Sequence, residues 1–216
     1  AGATVSVHGD RVDGTNLFLK VNGKTDASTF TDMMTQVLSA QVPLALHPDA
    51  QDVLVVGLGS GVTAGSVLAR SSVRSLDVVE ISPEVIEGAK MFSNYNRDVF
   101  HDKRLRMIID DAKSFLLSTD KRYDVIISEP SNPWMAGVAN VFSREFYANC
   151  RAHLAPGGLM VQWMQLYEFS DAAFDIFLAT FTSEFPSVSL WRTDTADLVL
   201  VGTVEPRKYD VDKVVA

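Results

Sequence analysis

Cysteine is nearly missing from this chain: 216 residues contain one, Cys150. A single thiol excludes an intrachain disulfide and a multi-thiolate metal site, and it leans toward a reducing, cytoplasmic setting. Positive charge is also scarce, with 19 Lys and Arg against 27 Asp and Glu, a net charge of −8. That balance argues against a broad electrostatic hold on nucleic acid and suits a cationic substrate better. Long apolar runs are missing too. The longest uncharged stretch, 53–69, carries four glycines plus Ser60, Thr63 and Ser66, so it reads as strand, turn and helix rather than a membrane span. Residues Ala1-Gly2-Ala3-Thr4 lack a signal-peptide pattern. His8, His47, His101 and His153 are scattered and share no ligand spacing with other donors, so no metal is expected.

What is present is ordinary globular material, 47% apolar and 21% charged, with no internal repeat. Residues 4–8 and 16–21 read as a hairpin, giving an N-terminal extension over 1–27 ahead of a Rossmann-like domain over 28–216. Apolar residues at helical spacing predict a helix over 28–44, capped by Ser28 or Thr29. From Asp52 strands and helices alternate. Strands are expected at 53–56, 75–81, 105–109, 123–128 and 159–165, with helices at 62–70, 83–92, 112–117, 143–154 and 171–185 and a closing strand pair at 188–191 and 198–201. The fold class is therefore α/β, a doubly wound and mostly parallel sheet that binds its ligand at the carboxyl ends of the strands.

The first of these strands runs into Gly57-Leu58-Gly59-Ser60-Gly61. Glycine permits a sharp turn and the close approach of a ligand. A dinucleotide fingerprint needs its third glycine at position 62, which is Val62, so the pattern resembles instead the first motif of S-adenosylmethionine-dependent enzymes. Glu80 closes the next strand, where a carboxylate can accept both ribose hydroxyls. Asp110-Asp111-Ala112 closes the third. Asp111 there suits the adenine amino group or, as a local alternative, a helix N-cap. Glu129, after the fourth strand, can take a proton from an attacking ammonium or hold it by charge. It opens a loop, 129–137, stiffened by Pro130, Pro133 and Trp134. Gln162 and Trp163 lie on the fifth strand near the expected cleft, where strand packing competes with a contact to the acceptor. Phe174, Phe177, Phe181 and Phe185 form a core stripe, and Cys150 is packed rather than reactive.

Taken together, Asn22-Gly23, Pro43-Leu44, the 53–61 run, Glu80-Ile81, Asp111 and the 123–133 run resemble the spermidine synthase (polyamine aminopropyltransferase) family. Residues 21–28 and 128–137 resemble more closely a spermidine-synthase-like subgroup often fused to membrane-spanning segments. The resemblance implies a class I methyltransferase-type sheet. It implies an aminopropyl group moved from decarboxylated S-adenosylmethionine to a small-molecule amine, without a metal. It implies Gly57, Gly59, Ser60, Gly61, Glu80, Ile81, Asp110, Asp111, Ala112 and Asp26 at the donor, Glu129 as base, and Gln36 and Asn132 toward the acceptor, where Trp134 and Gln162 are placed by their positions in the loop after the fourth strand and on the fifth strand. A homodimer and a membrane segment outside this chain are its further implications.

Several positions depart from the family. Ser60 replaces the aspartate that holds the donor's amine, and Asn132 replaces a second acid. Asp26 stands in place of a glutamine, and Thr35-Gln36 in place of Tyr and His or Gln. Losing the acid at 60 removes repulsion against an α-carboxylate, so better tolerance of intact S-adenosylmethionine is expected. Two other readings stay open. Asn132-Pro133-Trp134 loosely resembles the loop of amino-group methyltransferases, and the altered acceptor positions fit a non-catalytic nucleoside-binding domain.

Overall fold

The computed structural model describes residues 3–10, 15–130, 138–166 and 170–209. At the N-terminal end, β1 (Val5–Gly9), β2 (Leu17–Val21) and β3 (Lys24–Ser28) form an antiparallel three-stranded sheet. The expected hairpin is thus one strand short. Lys24-Thr25-Asp26-Ala27-Ser28 carries one apolar residue and shows no apolar alternation, which hides it as a strand. The turn that creates it is Asn22-Gly23, both left-handed (φ 51° and 84°), the two-residue hairpin conformation these residue types favour. Because Ser28 is extended and paired with Phe18, the first helix, α1 (Met33–Leu46), starts five residues later than its periodicity suggests. Ser28 and Thr29 do not cap it; Asp32 precedes its first residue.

The remaining elements alternate. They are β4 (Asp52–Val56), α2 (Val62–Leu68), β5 (Ser75–Glu80), α3 (Pro83–Ala89), β6 (Leu105–Ile109), α4 (Ala112–Ser118), β7 (Tyr123–Ser128), α5 (Arg144–Ala152), β8 (Leu154–Gln165), α6 (Asp171–Thr182), β9 (Ser187–Arg192) and β10 (Asp197–Thr203). The seven strands lie in the order β6-β5-β4-β7-β8-β10-β9, with β4 to β8 parallel and β10 antiparallel to both neighbours. β8 begins at Leu154, so Pro156-Gly157-Gly158 lies inside it rather than ahead of it.

Strand alternation divides the core between the two faces of the sheet. Val53, Val55, Val125 and Ile127 pack on one side with Leu19 and the α1–α3 layer. Leu54, Val56 and Ile126 pack on the other with Phe146, Tyr147, Phe177, Phe181 and Phe185. Strands covered on both faces read as unbroken apolar runs, which is why they were legible. Ser82, Asp111, Ser143 and Ser170 accept from the backbone N–H three residues on, each cap contributing about 1 kcal/mol. The strand order reverses between β4 and β7, and in such sheets the ligand crevice opens at that point. Gly57 and Glu129 are the residues that follow those two strands.

Candidate active site

The glycine turn is held by protein on most sides. A Cβ on Gly57 (φ 90°) would lie 2.5 Å from the carbonyl oxygen of Glu129, so here the missing side chain admits backbone rather than ligand. At Gly61 (φ 81°) the space is taken by Asn96, whose Nδ2 would be 3.1 Å away. Gly59 (φ 53°) lines the adjoining cavity, its nearest obstacle being the Ala27 methyl at 3.6 Å. Asn96 is fully buried and donates from Nδ2 to the carbonyls of Ser60 and Ala89. Nothing in its sequence neighbourhood marks it. Ser60 is also fully buried, and its hydroxyl donates to Gln36 Oε1, while Gln36 Nε2 donates to Ser28 O at 2.8 Å. The Ser60 side chain is therefore engaged with α1 and does not line the cavity.

Glu80 fastens this turn to the next strand. Its Oε2 accepts from Leu58 N (3.0 Å) and its Oε1 from Ser82 N (2.9 Å). Burial raises its pKa against the lowering effect of those N–H groups. Ile81 beside it is 66% exposed, an apolar side chain left uncovered at a strand end. One strand over, Asp110 Oδ1 accepts from Asp111 N, and Asp111 Oδ1 accepts from Ser114 N at 3.0 Å, ahead of buried Ala112. The N-cap geometry at Asp111 is observed. Its Oδ2 has no partner among the described residues.

Next to the turn lies a cavity of about 520 Å³. Its floor is Leu58, Gly59, Thr63 and Glu129, and its walls come from β3, α1, Trp163 and the 194–197 segment. Asp26, Asp32, Glu129, Asp194 and Asp197 place five carboxyl groups around it, and its described lining holds no Lys, Arg or His. Glu129 Oε2 is 2.5 Å from Thr63 Oγ1. Loss of solvation, reinforced by Asp197, Asp26 and Asp32, pushes the Glu129 carboxyl up to about 8. Asp197 is buried, accepts from Thr35 Oγ1 (2.9 Å) and Trp163 Nε1 (3.3 Å), and is raised by burial as well.

Of the residues expected from sequence, the cavity gathers Asp26, Gln36, Gly59 and Glu129. Glu80, Ile81, Asp110, Asp111 and Ala112 sit along the neighbouring strand ends, outside its lining. Gln162 is fully buried, its amide engaged by Tyr147, Ser128 and Trp163, and the next residue, Trp163, faces the cavity instead. Asn132 and Trp134 lie outside the described residues. Thr63 and Asp197 were not expected. Among the described residues no cluster of three or more His, Cys, Asp or Glu could hold a metal ion. No described helix is long and apolar enough to cross a membrane.

A seven-stranded sheet of this order, with a glycine turn after its central strand and an acid ending the next, defines a class I methyltransferase-type domain. Comparison with known proteins narrows the class. Residues 32–193 match the spermine/spermidine synthase domain. A polyamine aminopropyltransferase of Pseudomonas aeruginosa is 35% identical over 156 residues, 69% of this chain and 52% of its own length. One from Escherichia fergusonii is 34% identical over 137 residues, 63% of this chain and 46% of its own. A spermidine synthase solved with the transition-state analogue AdoDATO superposes with a TM-score of 0.85 at 22% identity, covering 95% of this chain and 71% of that one. The chain belongs to the spermine/spermidine synthase family, and it spans about half the length of the curated relatives it matches.

Proposed function

We propose that this domain transfers an aminopropyl group from decarboxylated S-adenosylmethionine to an amine acceptor. The observation that carries the reading is the cavity beside the glycine turn, ringed by five carboxyl groups with no cationic side chain in its described lining. Carboxyl groups gathered around one space repel one another and hold their protons more tightly. A cationic donor and a cationic acceptor supply the missing charge, and their arrival favours ionised Glu129.

In this reading Glu80 keeps lone pairs for the ribose hydroxyls while its N–H partners hold it in place. Ile81 and Ala112 flank the adenine, with Asp110 at that rim and Asp111 Oδ2 toward the amino group. Gly57, Gly59 and Gly61 shape the turn, and Ser60 supports it from behind. Asp26 and Asp197 attract the charged ends, with Gln36 and Trp163 as wall. Asn132 and Trp134 are assigned to the acceptor side from sequence alone, and Gln162 supports Trp163 rather than touching ligand. The amine nitrogen bonds to the propyl carbon next to sulfur, and the carbon–sulfur bond breaks with its electron pair going to sulfur. The nitrogen's proton passes to Glu129. Positioning and proton transfer provide the catalysis, and a base titrating near neutrality is well matched to it.

A second reading, methyl transfer from intact S-adenosylmethionine, is favoured by one observation: position 60 holds a serine turned into α1 rather than an acid facing the cavity. Mass spectrometry of the products formed with each donor and putrescine separates the two. A gain of aminopropyl supports the proposal, and a gain of methyl supports the second reading. Bound nucleoside with no product would make the domain a binding module.

A further inference from the structure

We infer that Thr63 is the positioning residue for Glu129, its hydroxyl fixing one carboxyl oxygen and exchanging hydrogen-bond direction as the proton comes and goes. This rests on the reading of Glu129 as proton acceptor and deepens it. Thr63 is buried, two residues beyond the last glycine of the turn, with its hydroxyl between two acceptors. Glu129 Oε2 is 2.5 Å away and the backbone oxygen of Gln36 is 3.0 Å away. A threonine hydroxyl has one hydrogen to give and lone pairs to receive. With Glu129 protonated both contacts are satisfied, since the carboxyl donates to Oγ1 and Oγ1 donates to Gln36 O. With Glu129 ionised the single hydrogen turns to the carboxylate. The Gln36 end cannot drift, because its side chain is tied to Ser28 O and Ser60 Oγ.

The backbone of Glu129 is equally fixed. Its N–H donates to Val56 O at 2.9 Å, and its carbonyl fills the space beside Gly57. Pinning Oε2 leaves Oε1, which has no hydrogen-bond partner among the described residues, as the oxygen available to substrate. Among the described residues, every charged group that lines the cavity with Glu129 is acidic: Asp26 of β3, Asp32 before α1, Asp194 of the β9–β10 connection and Asp197 of β10. Thr63 is thus the neutral donor that favours the ionised base against four negative neighbours.

The test compares Thr63→Val, Thr63→Ala and Thr63→Ser in the full chain. The Glu129 titration is read by carboxyl infrared difference spectra referenced to Glu129→Gln, alongside the pH profile of transfer. Without the hydroxyl the titration is expected to move up by about one pH unit, and kcat/KM near pH 7 to fall roughly tenfold, with recovery at higher pH. Thr63→Ser restores both. A titration that stays put in the hydroxyl-free variants, or a rate loss equal at all pH values, overturns the inference. The alanine variant serves if valine does not fold. The infrared reading needs no turnover, so a chain that lacks transfer activity yet shows the shift refutes the proposed function and leaves Thr63 in its role.

Discussion

The carbonyl oxygen of Glu129 occupies the space that a side chain on Gly57 would need. A Cβ there would come within 2.5 Å of that oxygen. Two strand ends that meet at the reversal of strand order are therefore in direct backbone contact, and the candidate base is seated by the turn that lines the cavity.

Gly57→Ala follows from that contact. The backbone is left-handed (φ 90°) and the intruding methyl meets a carbonyl rather than a flexible side chain. Strain and displacement together should cost about 2–4 kcal/mol. Gly59→Ala meets only a methyl at 3.6 Å and should cost about 1 kcal/mol. Urea unfolding of both variants checks the order; equal losses would show that conformation alone, and not the Glu129 carbonyl, sets the demand.

The acid-rich cavity makes stability depend on pH. Glu129 is raised to about 8, and Glu80 and Asp197 are raised in the same direction. A carboxyl whose folded pKa lies above its unfolded value binds more protons in the native state, so its contribution is complete below about pH 4 and is lost as pH rises through the folded pKa. The ligand-free protein should lose stability between about pH 5 and pH 8 from this group, and Glu129→Gln should flatten that part of the curve. Melting temperatures across the range decide it; a wild-type curve that rises there, or one unchanged by the substitution, would refute the assignment.

Most of the fold could be read from the chain because both-face burial writes itself as apolar runs, and Asp111 marks a helix start; the caps at Ser82, Ser143 and Ser170 emerge from the structure. β3 could not. Its strand character comes from the Asn22-Gly23 turn and from pairing with β2, while its own residues are polar. The site divides along the same line. Gly59 and Glu129 follow strand ends, where chain order predicts the pocket, while Glu80 ends its strand beside that pocket and outside its lining. Asp197 meets Thr35 across a separation of 162 residues, a contact set by the pairing of β10 with β8 and invisible to local pattern. Gln162 and Trp163 were exchanged for a similar reason: a period of two identifies the faces of a strand but not which face meets the cleft.

Glu80→Gln should separate the clasp from the charge. The amide keeps the shape, yet its NH₂ end must face either Leu58 N–H or Ser82 N–H, leaving one donor opposed by another. An unsatisfied buried donor costs about 1–3 kcal/mol. Binding of methylthioadenosine should weaken by roughly tenfold or more beyond what the stability loss explains, because the ribose loses a charged acceptor. Calorimetric titration at a temperature where the variant is fully folded measures this; unaltered affinity would remove Glu80 from the nucleoside site.

Ser60→Asp tests whether the family's usual acid can simply be put back. Ser60 is fully buried and gives its hydrogen to Gln36 Oε1. An aspartate has no hydrogen to give at neutral pH, so its carboxylate would face the Gln36 carbonyl. Turning the Gln36 amide over brings its oxygen against Ser28 O instead, which now receives from Nε2 at 2.8 Å. Each arrangement leaves a buried polar contact repulsive and adds a charge with no counter-ion, so stability should fall by about 2 kcal/mol or more. The carboxylate remains committed to the α1 side, and the ratio of affinities for decarboxylated and intact S-adenosylmethionine should stay within about threefold of wild type, a difference under 1 kcal/mol. Denaturation and paired titrations provide the check. A stable variant with sharply improved preference for the decarboxylated donor would mean that position 60 reaches the cavity after all, and that the orientation of this side chain, rather than its chemistry, is what the serine changed.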